Sequence, residues 1–517
     1  MQSIRKKSFA AEQLARQKKK SPVVWVFVCV IVVTLVIGGY VVYNRYADKE
    51  KKALDTASRI EKKMKIAVLP FEDMSPEKDQ EYFCDGISEE IINLLSHVEG
   101  LNVIARNSSF SFKGKNADIT DIGSKLDVEL VLEGSVRKAD NQLKITAQLI
   151  KVADQTHLFS KSYDRTLDDI FNVQEEISFS IVREMNITLK KNEIAALKKR
   201  PTQDLEAWEL YLLGRHYGED FELDNALDNF EKAVRKDPEF ALAYAGIAYV
   251  FGNKGYRSRS PEIRKESFIR AKEAAEKALS YDDTLAEAYT VLAWVNMYHD
   301  WDWSSAEKNL LRALELNPGY DRAYHYYRDY YMIMGQWDRA LKNIQRAVEL
   351  DPLYSYWQAF LLLTYECAGR YDEVIEECDK YIGLYPDSSS WFYLKYGNAY
   401  TMLGLYEKAR EAYHRSEELS GKPVVDEFLG ILYARSGERE KAEQVREKMI
   451  ERNDRLINIA VLYAELDDYD TAFELLEKAY DERDTYLPYL NSFAEYEPLR
   501  RDPRGKALLK KMGLPLN

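Results

Sequence analysis

From Pro22 to Tyr43 the chain runs for 22 residues without a charge. At 1.5 Å per residue, such a helix covers about 33 Å, enough for a ~30 Å hydrocarbon core. The pattern predicts a transmembrane helix over 22–44, with Trp25 near one end and Tyr40, Tyr43 and Tyr46 near the other as interfacial aromatics. A cleaved signal peptide fits less well: its apolar core usually spans about 7–15 residues, and Ile37 spoils the nearest small-x-small site.

The pattern changes at Lys65. Lys65–Pro70 reads as a short apolar strand and Leu101–Arg106 as a second. Glu129–Lys138 and Leu143–Val152 read as strands joined at a hairpin turn, with His157–Tyr163 pairing next. Helices are predicted over Ser88–Val98, Ala117–Leu126 and Asp168–Leu189, giving the order βαβαβββα.

Beyond Glu206 the apolar positions repeat. Pro318, Pro352 and Pro386 lie 34 residues apart, as do Ala306, Ala340 and Val374. Leu213, Gly214, Tyr217, Ala226, Phe230, Ala233 and Pro238 complete the tetratricopeptide signature. Gly214 and Ala226 let two antiparallel helices approach, and Pro238 ends the second because it lacks an N–H. Second-helix anchors Ala226, Ala271, Ala306, Ala340, Val374, Ala409, Ala442 and Ala472 mark eight units, stacked as a right-handed superhelix. An aromatic recurring at the intra-unit turns helps account for the 37 Tyr.

The expected fold class is therefore α/β plus all-α. Its divisions are a basic tail at 1–21, a transmembrane helix at 22–44, a charged linker at 45–63, an α/β domain at 64–190, a linker at 191–205, an array at 206–484 and a C-terminal cap at 485–517. Net charge is −13, and residues 1–20 contribute seven Lys or Arg against one Glu, so the rest carries −19. An acidic chain is a poor general nucleic-acid binder, and none is expected as a partner. Four Cys do not make a disulfide scaffold. Six scattered His form no ligand set, so no metal or other cofactor is expected. No phosphate loop, dinucleotide fingerprint or nucleophile elbow occurs, and no catalytic residue is assigned. The chain reads as a non-enzyme.

Five blocks, I-A-V-L-P-F at 66–71, Y-F-C-D-G-I at 82–87, V-I-A-R-N-S-S-F at 103–110, L-E-G-S-V-R at 132–137 and A-Q-L-I at 147–150, resemble the TolB amino-terminal-like (FlgO-like) domain of bacteria. Relatives join that domain and tetratricopeptide repeats to adenylate cyclase, winged-helix or kinase output domains. Only about twenty residues precede the apolar run here, so no output activity is carried over. With the apolar run, the resemblance leads to the expectation of a bacterial inner-membrane, single-pass protein; the basic tail places its N-terminus in the cytoplasm and its bulk outside. Charge counts on the two flanks nearly tie, and the opposite orientation stays open.

By resemblance to tetratricopeptide arrays, a partner segment would lie in the concave groove of first helices, contacting Arg215, Tyr249, Trp294, Tyr298, His325, Asp329, Tyr356 and Asn398. Aromatics supply contact area there and the polar groups satisfy peptide backbone; packing between repeats is the alternative for each. Arg106 and Arg137 end two strands and are candidate anion contacts, or ordinary surface arginines. Asp85, Glu89 and Glu90 read as helix capping. Trp301 and Trp303 read as turn packing, with Ser304 and Glu307 as a capping box. The leading function is a membrane-anchored scaffold for a protein or peptide partner. The alternative is a relay in which the α/β domain senses a ligand or stress and the repeats signal to a separate output protein.

Overall fold

The computed structural model describes residues 63–219, 221–385, 389–424 and 426–516. The chain divides into two units, 1–63 and 64–517, and the fold described belongs to the second. The expected transmembrane helix at 22–44 lies outside the described residues. That expectation, and the single-pass inner-membrane placement built on it, is corrected: among the described residues no helix is long and apolar enough to cross a membrane. The physical reason is visible in Pro261–Tyr281, which at 21 residues has the length but carries Lys, Arg or Glu in every turn but the last.

The small module is one sheet. Strands β1 (Met64–Val68), β2 (Glu72–Asp73), β3 (Leu101–Val103), β4 (Leu130–Ala139), β5 (Gln142–Lys151) and β6 (Thr156–Thr166) form it in the order β3-β1-β4-β5-β6, with β2 beside β4. The β1 pairs are parallel, and β4-β5-β6 is an antiparallel meander. Side chains alternate between faces. Ile66, Val68, Leu132, Ile145 and Leu149 pack with helices Glu81–Ser96 and Ile170–Glu184. Ala67 and Val131 face Ile122 and Leu126 of helix Ile119–Leu126 on the other side. Several elements differ from expectation: β2 was not expected, and the helix Lys191–Leu197 lies in the expected linker. The first helix begins at Glu81 rather than Ser88, and Arg106 opens a short helix, Arg106–Phe110, rather than closing a strand.

Eight antiparallel helix pairs follow, from Leu205–Glu219 with Leu223–Lys236 to Leu456–Glu465 with Tyr469–Asp481. Successive first helices pack against one another as an inner row. Phe230 shows why small residues recur. A Cβ on Gly214 or on Gly246 of the next pair would come within 2.7 Å of its ring. The first helix of the third pair ends in a π turn over Asn296–Asp300, and Trp301 takes a left-handed φ of 55°. The cap there is Asp302, whose side chain accepts from the Ser305 N–H, in place of the expected Ser304 box.

Module and array are one folded body. Trp208, fully buried, enters from the first repeat helix and meets Phe83 and Phe171 edge-on at 5.7 and 5.2 Å. Gly86 lies so close to Leu212 that a Cβ would sit 2.4 Å from it. Further along, the Ala105 N–H donates to the Leu350 carbonyl at 2.7 Å, and His97 Nδ1 lies 2.9 Å from the Leu316 carbonyl.

Candidate functional site

The inner row carries the residues that the sequence singled out, and two other parts of the chain already touch it. The first is the module. Glu89, on the helix Glu81–Ser96, accepts from Arg106 Nε and pairs with Arg215 Nη2 at 3.1 Å. Arg106 and Arg215, proposed separately from sequence, therefore meet through one carboxylate. Arg106 also lies 4.5 Å over the Phe110 ring. Glu219 pairs with Arg322 at 2.6 Å, and the Arg322 guanidinium lies 4.9 Å over Tyr249. Burial would raise the Glu219 carboxyl, but Arg322, Arg106 and Arg215 together hold it below the usual range.

Four pairs into the array, Asp351 anchors the same module. It accepts from the Ser108 N–H at 2.7 Å, from Asn107 Nδ2 at 2.8 Å and from Ser108 Oγ. Burial, then repulsion from Asp321, pushes its carboxyl up to about 7 against those hydrogen bonds.

The second contact is the C-terminal segment 484–496. The Tyr489 hydroxyl lies 2.5 Å from that of Tyr298, which donates to Asp329 at 3.0 Å. Asn491 Nδ2 donates to the Ile333 carbonyl and Ser492 Oγ to Met332, both at 2.9 Å. The Tyr496 hydroxyl donates to Asn458 at 3.1 Å. Asp484 pairs with Arg264 and Arg455, each at 3.4 Å, and Trp303 Nε1 donates to the Met512 carbonyl at 2.8 Å. The second and third pairs thus meet the end of the chain, through contacts more than 200 residues apart in sequence for Arg264 and Trp303.

Between these two contacts lies an aromatic stretch of the inner row. Trp294 is buried, 5.8 Å from Tyr256 and 5.1 Å from Tyr326. His325 is buried among Phe360, Trp357 and Tyr326 at 4.3, 4.8 and 5.1 Å. Burial pushes its imidazole down to about 4, so it is neutral at physiological pH. Asp329 is buried against Arg328. Tyr249 and Tyr326 are half-buried, and Tyr356 is 45% exposed. Asn398 lies further along and accepts from the Tyr413 hydroxyl at 3.0 Å. Arg137 stays apart: it is exposed on β4 opposite Lys144 and shares no contact with Arg106. Among the described residues, no three His, Cys, Asp or Glu side chains gather to hold a metal. Cys84, Cys367 and Cys378 are buried and unpaired.

Three contributors escaped the sequence reading. Glu89 was indistinguishable from a helix-capping acid, because what it binds lies 126 residues away. Asp351 sits in the Asp-Pro that ends a repeat helix, a place where an acid is ordinary. Tyr489 belongs to a segment without periodicity.

A family model described as HilA/YgeH-like transcriptional regulator, second domain, matches residues 61–179. Tetratricopeptide repeat models match residues 329–389 and 454–485. The chain thus carries tetratricopeptide repeats, while these matches do not confirm the TolB amino-terminal-like resemblance. One curated relative, named as adenylate cyclase 3 of Rhizobium meliloti (strain 1021), is 36% identical over 256 residues. The match covers 48% of this chain and 43% of that protein, so the chain spans less than half of the relative's length. Among solved structures, yeast Tom70 is 16% identical over 66% of this chain and 82% of its own, at a TM-score of 0.37. YrrB, titled a TPR protein with an unusual peptide-binding site, is 24% identical over 38% of this chain and 94% of its own, at 0.24. MamA is 22% identical over 36% of this chain and 94% of its own, at 0.26.

Proposed function

We propose that residues 64–517 form a non-catalytic interaction scaffold that holds a segment of a protein partner on the inner row of first helices. The observation that carries this reading is the row's hold on the chain's own segment 484–496. Side chains of that segment reach main-chain carbonyls of Met332 and Ile333 and the hydroxyl of Tyr298, as a bound peptide's would. The stretch left open between module and C-terminal segment offers Tyr249, Tyr326, Tyr356 and Phe360 to a partner, with Arg322 and Asn398 as polar neighbours. Aromatic anchors beside arginine are the composition that interface hot spots favour. Buried Trp294, Tyr298, His325 and Asp329 then shape the row, and Tyr356 makes the contact.

The TolB amino-terminal-like reading of 64–190 stays part of this proposal on the strength of its five sequence blocks. The relay alternative is not favoured, since the name of one partial relative is its main support. The test is co-purification with the immobilised chain. Tyr356→Ala combined with Tyr326→Ala should remove the specifically captured protein while circular dichroism stays unchanged. Leu311→Ala, at an exposed site on a second helix, should not. Equal capture by all three chains would sink the proposal.

A further inference from the structure

The cleft where module and array meet has more hydrogen-bond donors than acceptors. Arg106, Arg215 and Arg322 converge there from the module helix and two first helices, and each guanidinium offers five N–H groups. Their acceptors are few. Glu89 takes Arg106 Nε on one oxygen and Arg215 Nη2 on the other, Glu219 takes Arg322 Nη2, and Tyr211 contacts Arg215, with Asp321 near Arg322 and Asp85 near Arg106. The three side chains keep 21, 30 and 25% of their surface open. Glu90, the next acid on the same helix, is pushed up to about 7 by burial and is therefore partly protonated at neutral pH.

An aromatic wall adjoins this cluster: Arg322 lies over Tyr249, and Tyr249, Trp294 and Tyr326 follow in ring contact. Two atoms in that wall are buried without any partner, Trp294 Nε1 and His325 Nδ1. Buried polar atoms are rarely left unpaired. A guanidinium fork matches the two oxygens of a planar carboxylate or the face of a phosphate.

We propose that Arg106, Arg215 and Arg322 form a binding site for an oxyanion, a carboxylate or a phosphate, carried on a flat ring that stacks against the tyrosine wall. The site belongs jointly to module and array, because Arg106 comes from one and Arg215 and Arg322 from the other. It does not depend on the scaffold reading: it would stand if no protein bound the inner row.

Isothermal titration of the full chain tests it with three probes, phenyl phosphate, N-acetyltyrosine and N-acetyltyrosinamide. At least one of the two acids should bind saturably and the uncharged amide should not. Preference for phenyl phosphate identifies a phosphorylated small molecule as the source, and preference for N-acetyltyrosine identifies a chain terminus. Arg106→Gln and Arg322→Gln should each weaken the preferred acid at least about tenfold, or about 1.4 kcal/mol. Arg137→Gln, outside the cluster, should leave it unchanged. Arg322→Gln strands Glu219, so Arg322→Lys serves as a second variant, keeping the charge without the fork and giving an intermediate loss in a folded chain. Absence of saturable binding by both acids, equal binding of the amide, or undiminished affinity in the arginine variants would overturn the proposal.

Discussion

The repeat array is covered by two other parts of the chain, in different ways. At the module, ion pairs and hydrogen bonds accompany an apolar contact: Glu89 between two arginines and Asp351 on Ser108 and Asn107, beside buried Trp208 against Phe83 and Phe171. At the C-terminal segment 484–496, the ion pairs of Asp484 with Arg264 and Arg455 sit at one edge, and rings and neutral hydrogen bonds make the rest, with Tyr489 stacked 4.7 Å from Phe493 and bonded to Tyr298. Ion pairs with part-exposed arginines leave donors over for something else. The C-terminal segment, buried at Leu487, Tyr489, Leu490, Asn491, Ser492 and Tyr496, behaves as core. The difference separates a contact that has room for a ligand from one that completes the fold.

The largest expected effect lies at the aromatic end. Tyr489→Ala removes a ring that is 4% exposed and should cost about 3–5 kcal/mol of stability, read by urea unfolding. A cost below about 1 kcal/mol, the level of a single hydrogen bond, would mean that the segment is loosely applied and the comparison is drawn wrongly.

Next comes Asp351→Ala. It strands the buried N–H and hydroxyl of Ser108, and should cost about 1–3 kcal/mol. The same variant should increase hydrogen exchange over 105–110 while sparing 487–492.

Proton uptake sharpens the comparison further. Asp351, Glu90 and Glu495 are pushed up to about 7 and Glu427 to about 8, each chiefly by burial. In the unfolded chain such groups ionise near pH ~4. The folded form therefore binds extra protons between about pH 4 and 8, and their stabilisation is complete below that window and lost as pH rises through it. The melting temperature should fall between about pH 5.5 and about pH 8.5, and Glu427→Gln should flatten that fall. A rise over the same range would contradict the assignment. The smallest effect belongs to Trp303→Phe, which loses one hydrogen bond to the Met512 carbonyl and should cost about 1 kcal/mol in the same unfolding assay.

Local physics made much of this architecture readable. Alternation wrote the β4-β5 hairpin, and the 34-residue spacing of Ala306, Ala340 and Val374 wrote helix pairs, because both depend on neighbours close in sequence. The first turns of the helix Glu81–Ser96 were missed because Asp85-Gly86 looks like a turn signal. Gly86 is instead helical and leaves space for Leu212, more than 120 residues away. The apolar run at 22–44 has the composition of a membrane span, but none of the described helices has the length and apolarity to cross a membrane. The groove residues could be named by their place on first helices. Which of them face solvent could not, since Tyr298 is covered by a residue 191 positions away and Trp294 by ring neighbours on other repeats. Arg106 was legible as a candidate, but its partners were not, because no local pattern encodes a three-arginine cluster spanning module and array.

The central claim is an array covered by the module and by the C-terminal segment and open around Tyr356. A photo-crosslinking residue placed at 356, with a control at 311, tests this directly in cells that make the full chain. A discrete adduct with one partner is expected from position 356 and none from 311. No adduct at 356, or the same products from both positions, would contradict it.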